Sequence, residues 1–376
     1  MANKQRTIHI LPIEPLEQRY TKQVLDWTVA ELEDKCVFST KNPFAYNNKG
    51  GLLYNVILPA PTYKTIENGQ FLDIGGTLLF KLNQLKMVIE QLQSGVIQDG
   101  DVVFVMDIWF PGLECIRYYT DLMGFKNFKI AGIQHAGRSD YMDFIRQAGG
   151  WADDAELAFL NSCDMLFNDG GPWTVKLMRD HFGDRLSKNI QMAKGLVWNP
   201  QAIRDMANSK AAPLLSDPTE IPKPYIMFPH RTAFEKNLAE LYYIADKLPK
   251  GMKIVITSSG KINVPYKHPS ILYFSNISKT AYYKLLKHTE LYLSLSFQDH
   301  FAFTAHEALA LKTPILVKDT VAYRQFIPKD CLFDGTNELL KRLHSRDYRT
   351  PTDKESNQDS DATSLLVKNL LILLKR

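Results

Sequence analysis

Two carboxylates in the second half of the chain stand where a strand gives way to a helix. Residues 291–295 form a short apolar run typical of a buried strand, and a helical pattern begins near Thr304. Asp299 therefore lies in the connecting loop, and Glu307 about one turn into the helix. The first amides of that helix, at Phe303 and Thr304, lack intrahelical partners and suit phosphate oxygens. Carboxylates accept hydrogen bonds from hydroxyls, so Glu307 suits a ribose and Asp299 a second sugar. On spacing alone, a loop cap and a first-turn acid that complements the helix dipole explain them equally well.

Two cations, Arg231 and Lys236, flank the first strand-to-helix turn of the same half. The segment 228–237 reads FPHRTAFEKN, in which a strand ends at Phe228 and a helix is expected from about Ala233. Fixed cations at such a turn would stabilise the charge that develops on a departing diphosphate, without a metal ion. A solvated Arg and Lys at a helix start are the alternative.

In this order and spacing, the two motifs resemble those of the retaining GT-B glycosyltransferases of the glycosyltransferase 4 group. The resemblance covers residues 225–325. It implies that Arg231 and Lys236 grip the diphosphate of a nucleotide-sugar donor, as the family's Arg-x4-Lys pair does. It also implies that Glu307, the second acid of the family's Glu-x7-Glu motif, holds the donor ribose.

The chain departs from this family at three positions. The first acid of the motif is Asp299, one methylene shorter than Glu, which favours a smaller donor sugar such as a pentose. Two family glycines are replaced by Ala302 and Lys312. The resemblance places four residues at the donor sugar and two at the nucleotide base: Asp299, His300, Phe301 and Ala302, and Asn276 and Ile277. The expected donor is a UDP-sugar, with no other cofactor and no metal site.

Two residues of the first half follow apolar strand patterns and are candidates for the catalytic centre. Asp107 follows the run DVVFVM, and His135 follows the run at 128–133. In the family, a His at this place faces the donor sugar, which implies that role for His135. Asp107 would serve as an acceptor base if a hydroxyl came within hydrogen-bonding distance. A His bonded to local backbone, and an Asp that starts a turn before Pro111, are the alternatives.

Strand and helix patterns alternate along both halves, which predicts two doubly wound sheets with helices on both faces. The fold class is therefore α/β, and the resemblance implies GT-B, with two Rossmann-like domains that face each other across a cleft. We expect an N-terminal acceptor domain at 1–195, a linker at 196–223 and a C-terminal donor domain at 224–343. A polar flexible loop is expected at 344–362, and a terminal helix at 363–376 that packs back on the N-terminal domain.

Composition limits the class of protein. The chain has 376 residues, 45% of them hydrophobic and 23% charged, which excludes a largely disordered or collagen-like protein. The net charge of +4 is too weak to indicate a nucleic-acid binder by itself. Four scattered cysteines, no secretory signal pattern and no transmembrane segment predict a cytoplasmic protein with reduced thiols.

The segments LPIEPLEQRYT at 11–21 and GQFLDIGGT at 69–77 resemble those of predicted glycosyltransferases of bacteriophages, some of which modify hydroxymethylated pyrimidines in phage DNA. This resemblance implies 5-hydroxymethylcytosine, or another hydroxymethylpyrimidine, in double-stranded DNA as the favoured acceptor. A phage-encoded protein would act in the host cytoplasm. The base would be reached in the major groove or flipped into the cleft. Candidate acceptor or DNA contacts are Glu14, Arg19, Trp109 and Arg138, with Arg146, Lys126, Lys129 and the segment 41–49, which includes Phe44 and Tyr46.

Three other functions fit parts of the sequence. One is a glycosyltransferase with a saccharide or lipid-linked acceptor. Another is a nucleotide-sugar epimerase of GT-B fold, and the third is a non-catalytic module that binds nucleotide-sugar or DNA. The resemblance favours a metal-independent, retaining transferase in which the leaving phosphate takes the acceptor proton.

Overall fold

The structure is a computed structural model in which two α/β halves are joined near residue 195. The described residues are 6–16, 19–38, 45–48, 53–60, 73–135, 137–141, 143–210, 221, 223–258, 267–275, 277–297 and 299–375. No helix in these ranges is long and apolar enough to cross a membrane.

The N-terminal half contains an eight-stranded sheet of order β2-β3-β4-β1-β5-β6-β7-β8. The strands are β1 (Thr7–Leu11), β2 (Cys36–Phe38), β3 (Ala45–Asn48), β4 (Leu53–Val56), β5 (Val102–Val105), β6 (Lys129–Gln134), β7 (Met165–Asn168) and β8 (Gln191–Lys194). Only β2 and β3 pair antiparallel, at one edge, and the other pairs are parallel. Every residue of β5 is buried, as expected for a central strand of a parallel sheet covered on both faces.

The C-terminal half contains a fully parallel six-stranded sheet of order β11-β10-β9-β12-β13-β14. Its strands are β9 (Tyr225–Phe228), β10 (Lys253–Ser258), β11 (Ile271–Ser275), β12 (Leu291–Ser294), β13 (Ile315–Lys318) and β14 (Leu332–Phe333). Because β9 and β12 are neighbours, the loops that follow them lie side by side at the same edge of the sheet.

Helices cover both faces of each sheet. They are α1 (Tyr20–Lys35), α2 (Ile74–Gln93), α3 (Leu113–Leu122), α4 (Trp151–Asn161), α5 (Gly171–Phe182), α6 (Pro200–Asn208), α7 (Leu238–Ala245), α8 (Lys279–His288), α9 (Phe303–Ala310), α10 (Thr336–Ser345), α11 (Asp353–Ser356) and α12 (Ala362–Lys375). In the N-terminal half, α1 and α12 pack on one face of the sheet, and α2 and α3 on the other. The prediction of an α/β protein with two Rossmann-like halves is confirmed.

Two segments expected to be irregular contain helices. The expected linker includes α6, and Trp198 and Ile203 lie in the same apolar core as residues of α8 and α9. The expected loop at 344–362 includes α11, which begins with a capping box formed by Thr352 and Glu355. Polar composition hid both elements, because each buries only a few side chains. The terminal helix α12 contributes Leu366, among others, to the core it shares with α1.

The helix expected from about Ala233 is interrupted. Residues Phe234–Lys236 form a single 3-10 turn, and Asn237 has a positive φ of 58° before α7 begins. The Asn237 side chain accepts a hydrogen bond from the Glu240 amide and so caps α7. Lys236 therefore lies on a tight turn rather than on a helix.

Candidate functional site

The two cations of the C-terminal half lie on the turn after β9, and each is held by a carboxylate. Nζ of Lys236 lies 3.1 Å from Oδ2 of Asp299 and 3.2 Å from Oγ of Ser296. Nε of Arg231 donates to Oε1 of Glu235 at 2.9 Å. Lys236 is only 12% exposed, whereas Arg231 is 35% exposed. The structure therefore brings Lys236 and Asp299 into direct contact, although they are far apart in sequence.

The surroundings of this pair fix its charge state. Burial opposes ionisation of Asp299, but Lys236 and His230 together lower the pKa of this carboxyl below its usual value. Burial and then the positive charge of Lys236 lower the pKa of His230 to about 3. His230 is therefore neutral at physiological pH, and its Nε2 lies 3.4 Å from the hydroxyl of Tyr292.

The start of α9 has the backbone geometry of a glycine-rich loop. Ala302 has φ of 53°, and Lys312, just after the helix, has φ of 55°. Both positions are glycine in the family that the sequence resembles. A positive φ favours glycine because glycine has no Cβ, which accounts for that preference. The side chain of Phe301 turns inward and stacks on His306, with ring centroids 3.8 Å apart. Thr304 shares a 2.8 Å hydroxyl–hydroxyl hydrogen bond with Tyr292.

Glu307 lies in a pocket of hydrogen-bond donors and is 2% exposed. Its Oε1 accepts from Nζ of Lys279 at 3.1 Å and from the Tyr283 hydroxyl at 2.9 Å, and its Oε2 accepts from the Tyr282 hydroxyl at 2.6 Å. Burial and the neighbouring carboxylate raise the pKa of both tyrosines well above their usual value. The nearby Ile277 is buried, whereas Asn276, expected at the base, lies outside the described residues.

In the N-terminal half, His135 uses both ring nitrogens in hydrogen bonds. Nδ1 lies 2.6 Å from Oδ2 of Asp169, and Nε2 lies 2.8 Å from the carbonyl oxygen of Met106. Burial opposes protonation, but the Asp169 carboxylate and nearby Asp107 raise the pKa of His135 above its usual value. Two oxygen acceptors around one imidazole favour the doubly protonated ring. His135 is therefore a fixed cation rather than a free base.

Asp107 is held in an ion pair. Its Oδ2 accepts from Nζ of Lys81 at 2.6 Å, and the same ammonium donates to the carbonyl oxygen of Trp109 at 2.5 Å. Burial opposes ionisation, but Lys81 and His135 lower the pKa of Asp107. A carboxylate with a lowered pKa is a weak proton acceptor at neutral pH.

Residues of the two halves meet directly across the cleft. The ring of Tyr20 stacks on Phe303 at 5.0 Å and lies edge-on to His135 at 5.9 Å. Burial and then the charge of Arg231 lower the pKa of Arg19, although Tyr20 opposes this. His300 is paired with Asp140 of the N-terminal half. The halves thus place Arg19 and Arg231 within electrostatic reach of each other.

Most candidates for acceptor or DNA contact are buried or held by internal contacts. All three guanidinium nitrogens of Arg138 are bonded internally, to Asp153 and to the carbonyl oxygens of residues 145, 146 and 148. These contacts give Arg138 a structural role, and the DNA contact stays a prediction. Glu14 is buried, and Trp109 packs edge-on against Phe159 at 5.7 Å.

The remaining DNA candidates are spread over the surface or lie outside the described residues. Arg146 donates to the carbonyl oxygen of Arg138 at 2.8 Å, Lys129 lies 3.5 Å from Asp164, and Lys126 is exposed. Phe44 and the side chain of Tyr46 lie outside the described residues. Among the four principal candidates, the one near the donor residues is Arg19.

Sequence reasoning missed several residues that the structure adds to the site. They are Tyr20, Lys81, Asp169, His230, Lys279, Tyr282 and Tyr283. His230 directly precedes Arg231, so its place after a buried strand was a usable signal. The pairing of Tyr282 and Tyr283 with Glu307 joins two helices and has no local signature in the sequence.

Among the described residues, no group of three or more His, Cys, Asp or Glu side chains is arranged to hold a metal ion. No family model and no curated protein matches the chain.

Solved structures of similar fold exist. An α,α-trehalose 6-phosphate synthase from Burkholderia multivorans has 13% identity and a TM-score of 0.63, with 99% of this chain and 98% of that chain covered. A sucrose-phosphate synthase from Thermosynechococcus elongatus has 13% identity and a TM-score of 0.60 (99% and 94% covered). An Escherichia coli trehalose-6-phosphate structure bound with UDP-2-fluoro glucose has 12% identity and a TM-score of 0.59 (98% and 97% covered). At such low identity the similarity concerns the fold alone, and it confirms the GT-B architecture.

Proposed function

We propose that the protein is a retaining glycosyltransferase that uses a nucleoside-diphosphate sugar, with UDP as the nucleotide. The observation that carries the proposal is the convergence of Arg231, Lys236, Asp299 and Glu307 at one edge of the C-terminal sheet. These are the groups that a diphosphate, a sugar and a ribose require. The fold similarity to a structure bound with UDP-2-fluoro glucose supports a UDP-sugar donor.

On binding, the donor would replace the protein groups that pair with the two cations. Arg231 and Lys236 are held by Glu235 and Asp299, and the diphosphate would replace these carboxylates as their partner. The first amides of α9 would donate to phosphate oxygens. Glu307 would accept from the ribose hydroxyls, because a carboxylate has about four acceptor sites and the structure fills three of them. No metal ion is needed in this scheme, since two cations neutralise the leaving group.

We infer the transfer step from the charge states of His135 and Asp107 in the N-terminal half. The acceptor oxygen forms a bond to C1 of the sugar while the bond from C1 to the β-phosphate oxygen breaks. The acceptor proton passes to the departing diphosphate on the same face, so the anomeric configuration is retained. His135, with both nitrogens donating, and Asp107, paired with Lys81, are poor bases, which supports the phosphate as proton acceptor.

The favoured acceptor is the hydroxymethyl group of 5-hydroxymethylcytosine, or another hydroxymethylpyrimidine, in double-stranded DNA. The resemblance of the segments 11–21 and 69–77 to those of predicted bacteriophage glycosyltransferases supports it. A saccharide acceptor is the second candidate, because the solved structures of similar fold include synthases of trehalose phosphate and sucrose phosphate.

An acceptor panel tests the proposal. The wild-type protein is incubated with UDP-sugars and either DNA containing 5-hydroxymethylcytosine or sugar phosphates, and products are weighed by mass spectrometry. We expect the DNA to gain one sugar residue per modified base. Transfer to sugar phosphates but not to DNA would indicate that the acceptor is a saccharide. UDP-sugars left intact with every acceptor would refute the transferase.

A further inference from the structure

Three consecutive residues of the loop between β12 and α9 point in three directions. Asp299 lies against Lys236 of the C-terminal half, with Oδ2 and Nζ 3.1 Å apart. Phe301 turns into the apolar core, where it is 4% exposed. His300, between them, reaches across the cleft, and its Nε2 pairs with Oδ2 of Asp140 in the N-terminal half. A single peptide unit therefore links the position of Asp299 to a contact between the two halves.

The surroundings of His300 favour a cation. The charged groups that act on it are Asp140, Asp143 and Asp169 from the N-terminal half and Asp299 from its own loop. Asp140 is only 3% exposed, and the ring of Trp173 at the start of α5 lies 6.2 Å from the imidazole. Burial, and then the charge of Asp140, raise the pKa of Asp143 to about 6, and His300 opposes this rise. An imidazolium at this place compensates a group of carboxylates, which a neutral ring does not.

The pair of His300 and Asp140 is sensitive to pH. Burial opposes protonation, but the hydrogen bond and the charge of Asp140 raise the pKa of His300 above its usual value of about 6.5. The charge of His300 is complete well below the raised pKa and is lost as the pH rises through it. At other contacts between the halves, Gln23 donates to the Tyr283 hydroxyl at 2.7 Å, and Gln325 donates to a carbonyl oxygen of the N-terminal half at 3.3 Å. Amides and phenols keep their charge between pH 6 and pH 9, so these contacts do not share the pH dependence of the pair.

We propose that His300 is a positioning residue for the donor sugar, because its ion pair with Asp140 holds Asp299 where Asp299 contacts that sugar. This inference rests on the proposed function and deepens the role given to Asp299. Without the ion pair, the loop loses its anchor on the N-terminal half, and ordering Asp299 against the sugar costs more on binding. Arg231 and Glu307 lie outside this loop. The pair should therefore affect the part of the donor affinity that comes from the sugar.

Isothermal titration calorimetry with UDP, UDP-glucose and UDP-xylose tests the proposal at pH 6 and pH 9. The measured quantity is the sugar gain, defined as the Kd of UDP divided by the Kd of the tighter-binding UDP-sugar. At pH 6 we expect the sugar gain of wild type to exceed that of His300→Gln by at least about fivefold, the lower end of couplings between sites. At pH 9 this excess should shrink, because wild type has then lost the charge of His300.

Two variants separate the charge of His300 from a merely structural role. His300→Lys places a permanent cation opposite Asp140 and should keep a high sugar gain at both pH values. Asp140→Asn should reproduce His300→Gln, and the double variant should lose no more than either single variant. His268→Gln is the matched control, since His268 pairs with Asp246 at 2.9 Å just before β11, at the opposite edge of the sheet, and its sugar gain should equal that of wild type.

The outcomes distinguish this inference from the proposed function. If His300→Gln weakened UDP and the UDP-sugar by the same factor at pH 6, or if its sugar gain equalled that of wild type, the inference would be overturned. A low sugar gain in His300→Lys would overturn it as well, because the ion pair would then not be the cause. Absence of UDP binding by wild type would instead refute the proposed donor site, and this inference with it.

Discussion

Neutralising Asp299 should strengthen the binding of UDP, although Asp299 lies in the proposed donor site. Its Oδ2 lies 3.1 Å from Nζ of Lys236, so it competes with the diphosphate for that ammonium. The pair is partly exposed, and such pairs contribute up to about 1 kcal/mol. Asp299→Asn removes the competitor and should tighten UDP binding by up to about fivefold. The pair thus keeps the ammonium in place until the donor arrives.

Lys236→Ala should have the opposite effect. It removes a charged hydrogen bond to the diphosphate, worth about 1.5–3 kcal/mol, and should weaken UDP binding by about 10- to 150-fold. Binding is measured by isothermal titration calorimetry with UDP alone. UDP lacks the donor sugar, so the proposed contact of Asp299 with that sugar does not affect the result. Asp330→Asn is the control, because Asp330 pairs with Arg349 at the opposite end of the sheet. If Asp299→Asn weakened UDP binding as Lys236→Ala does, the reasoning about competition would be wrong.

Three further predictions concern stability. The pKa of His300 is raised because Asp140 outweighs the opposing effect of burial. The contribution of His300 is therefore complete below about pH 6.5 and disappears as the pH rises through the raised pKa. The difference in Tm between wild type and His300→Asn should thus shrink from pH 6 to pH 9, and a constant difference would contradict the pairing. Burial raises the pKa of Glu156 to about 7. Its ionisation then costs the fold about 3 kcal/mol above that pH, so Glu156→Gln should raise Tm at pH 8.5 but not at pH 5; an equal change at both would refute this. Ala302→Gly should stabilise by about 0.5 kcal/mol in urea unfolding, because it removes a positive-φ alanine. The control Ala308→Gly, inside α9, should destabilise, and the same sign for both would contradict the argument.

The sheets were predictable because their central strands are short apolar runs between turn residues. The run at 102–105 is an example, since a strand buried on both faces is mostly apolar. The helices α6 and α11 escaped prediction because each is short and mostly polar, and tertiary contacts stabilise it. The break at Asn237 depends on a single residue with positive φ, which a hydrophobic pattern does not reveal.

The candidate donor residues could be named from sequence because each follows a strand, and the order of the strands brings those loops together. Most of their partners could not be named. Tyr282 and Tyr283 reach Glu307 through side-chain pairing between separate helices, whereas Glu235 is a local partner four residues after Arg231. For Arg138, a basic residue near a strand end predicts a DNA contact, but the residue type does not reveal the internal acceptors that hold its guanidinium group.

The most direct test of the central claim is the rate of sugar transfer from UDP-sugar to 5-hydroxymethylcytosine DNA in wild type, Arg231→Ala and Arg346→Ala. Arg346 is the matched control, because it pairs with Glu290 at the far end of β12. The proposed donor site predicts transfer by wild type and Arg346→Ala alike, and a rate at least about 100-fold lower in Arg231→Ala. Equal transfer by all three proteins would contradict the assignment of this cluster as the donor site.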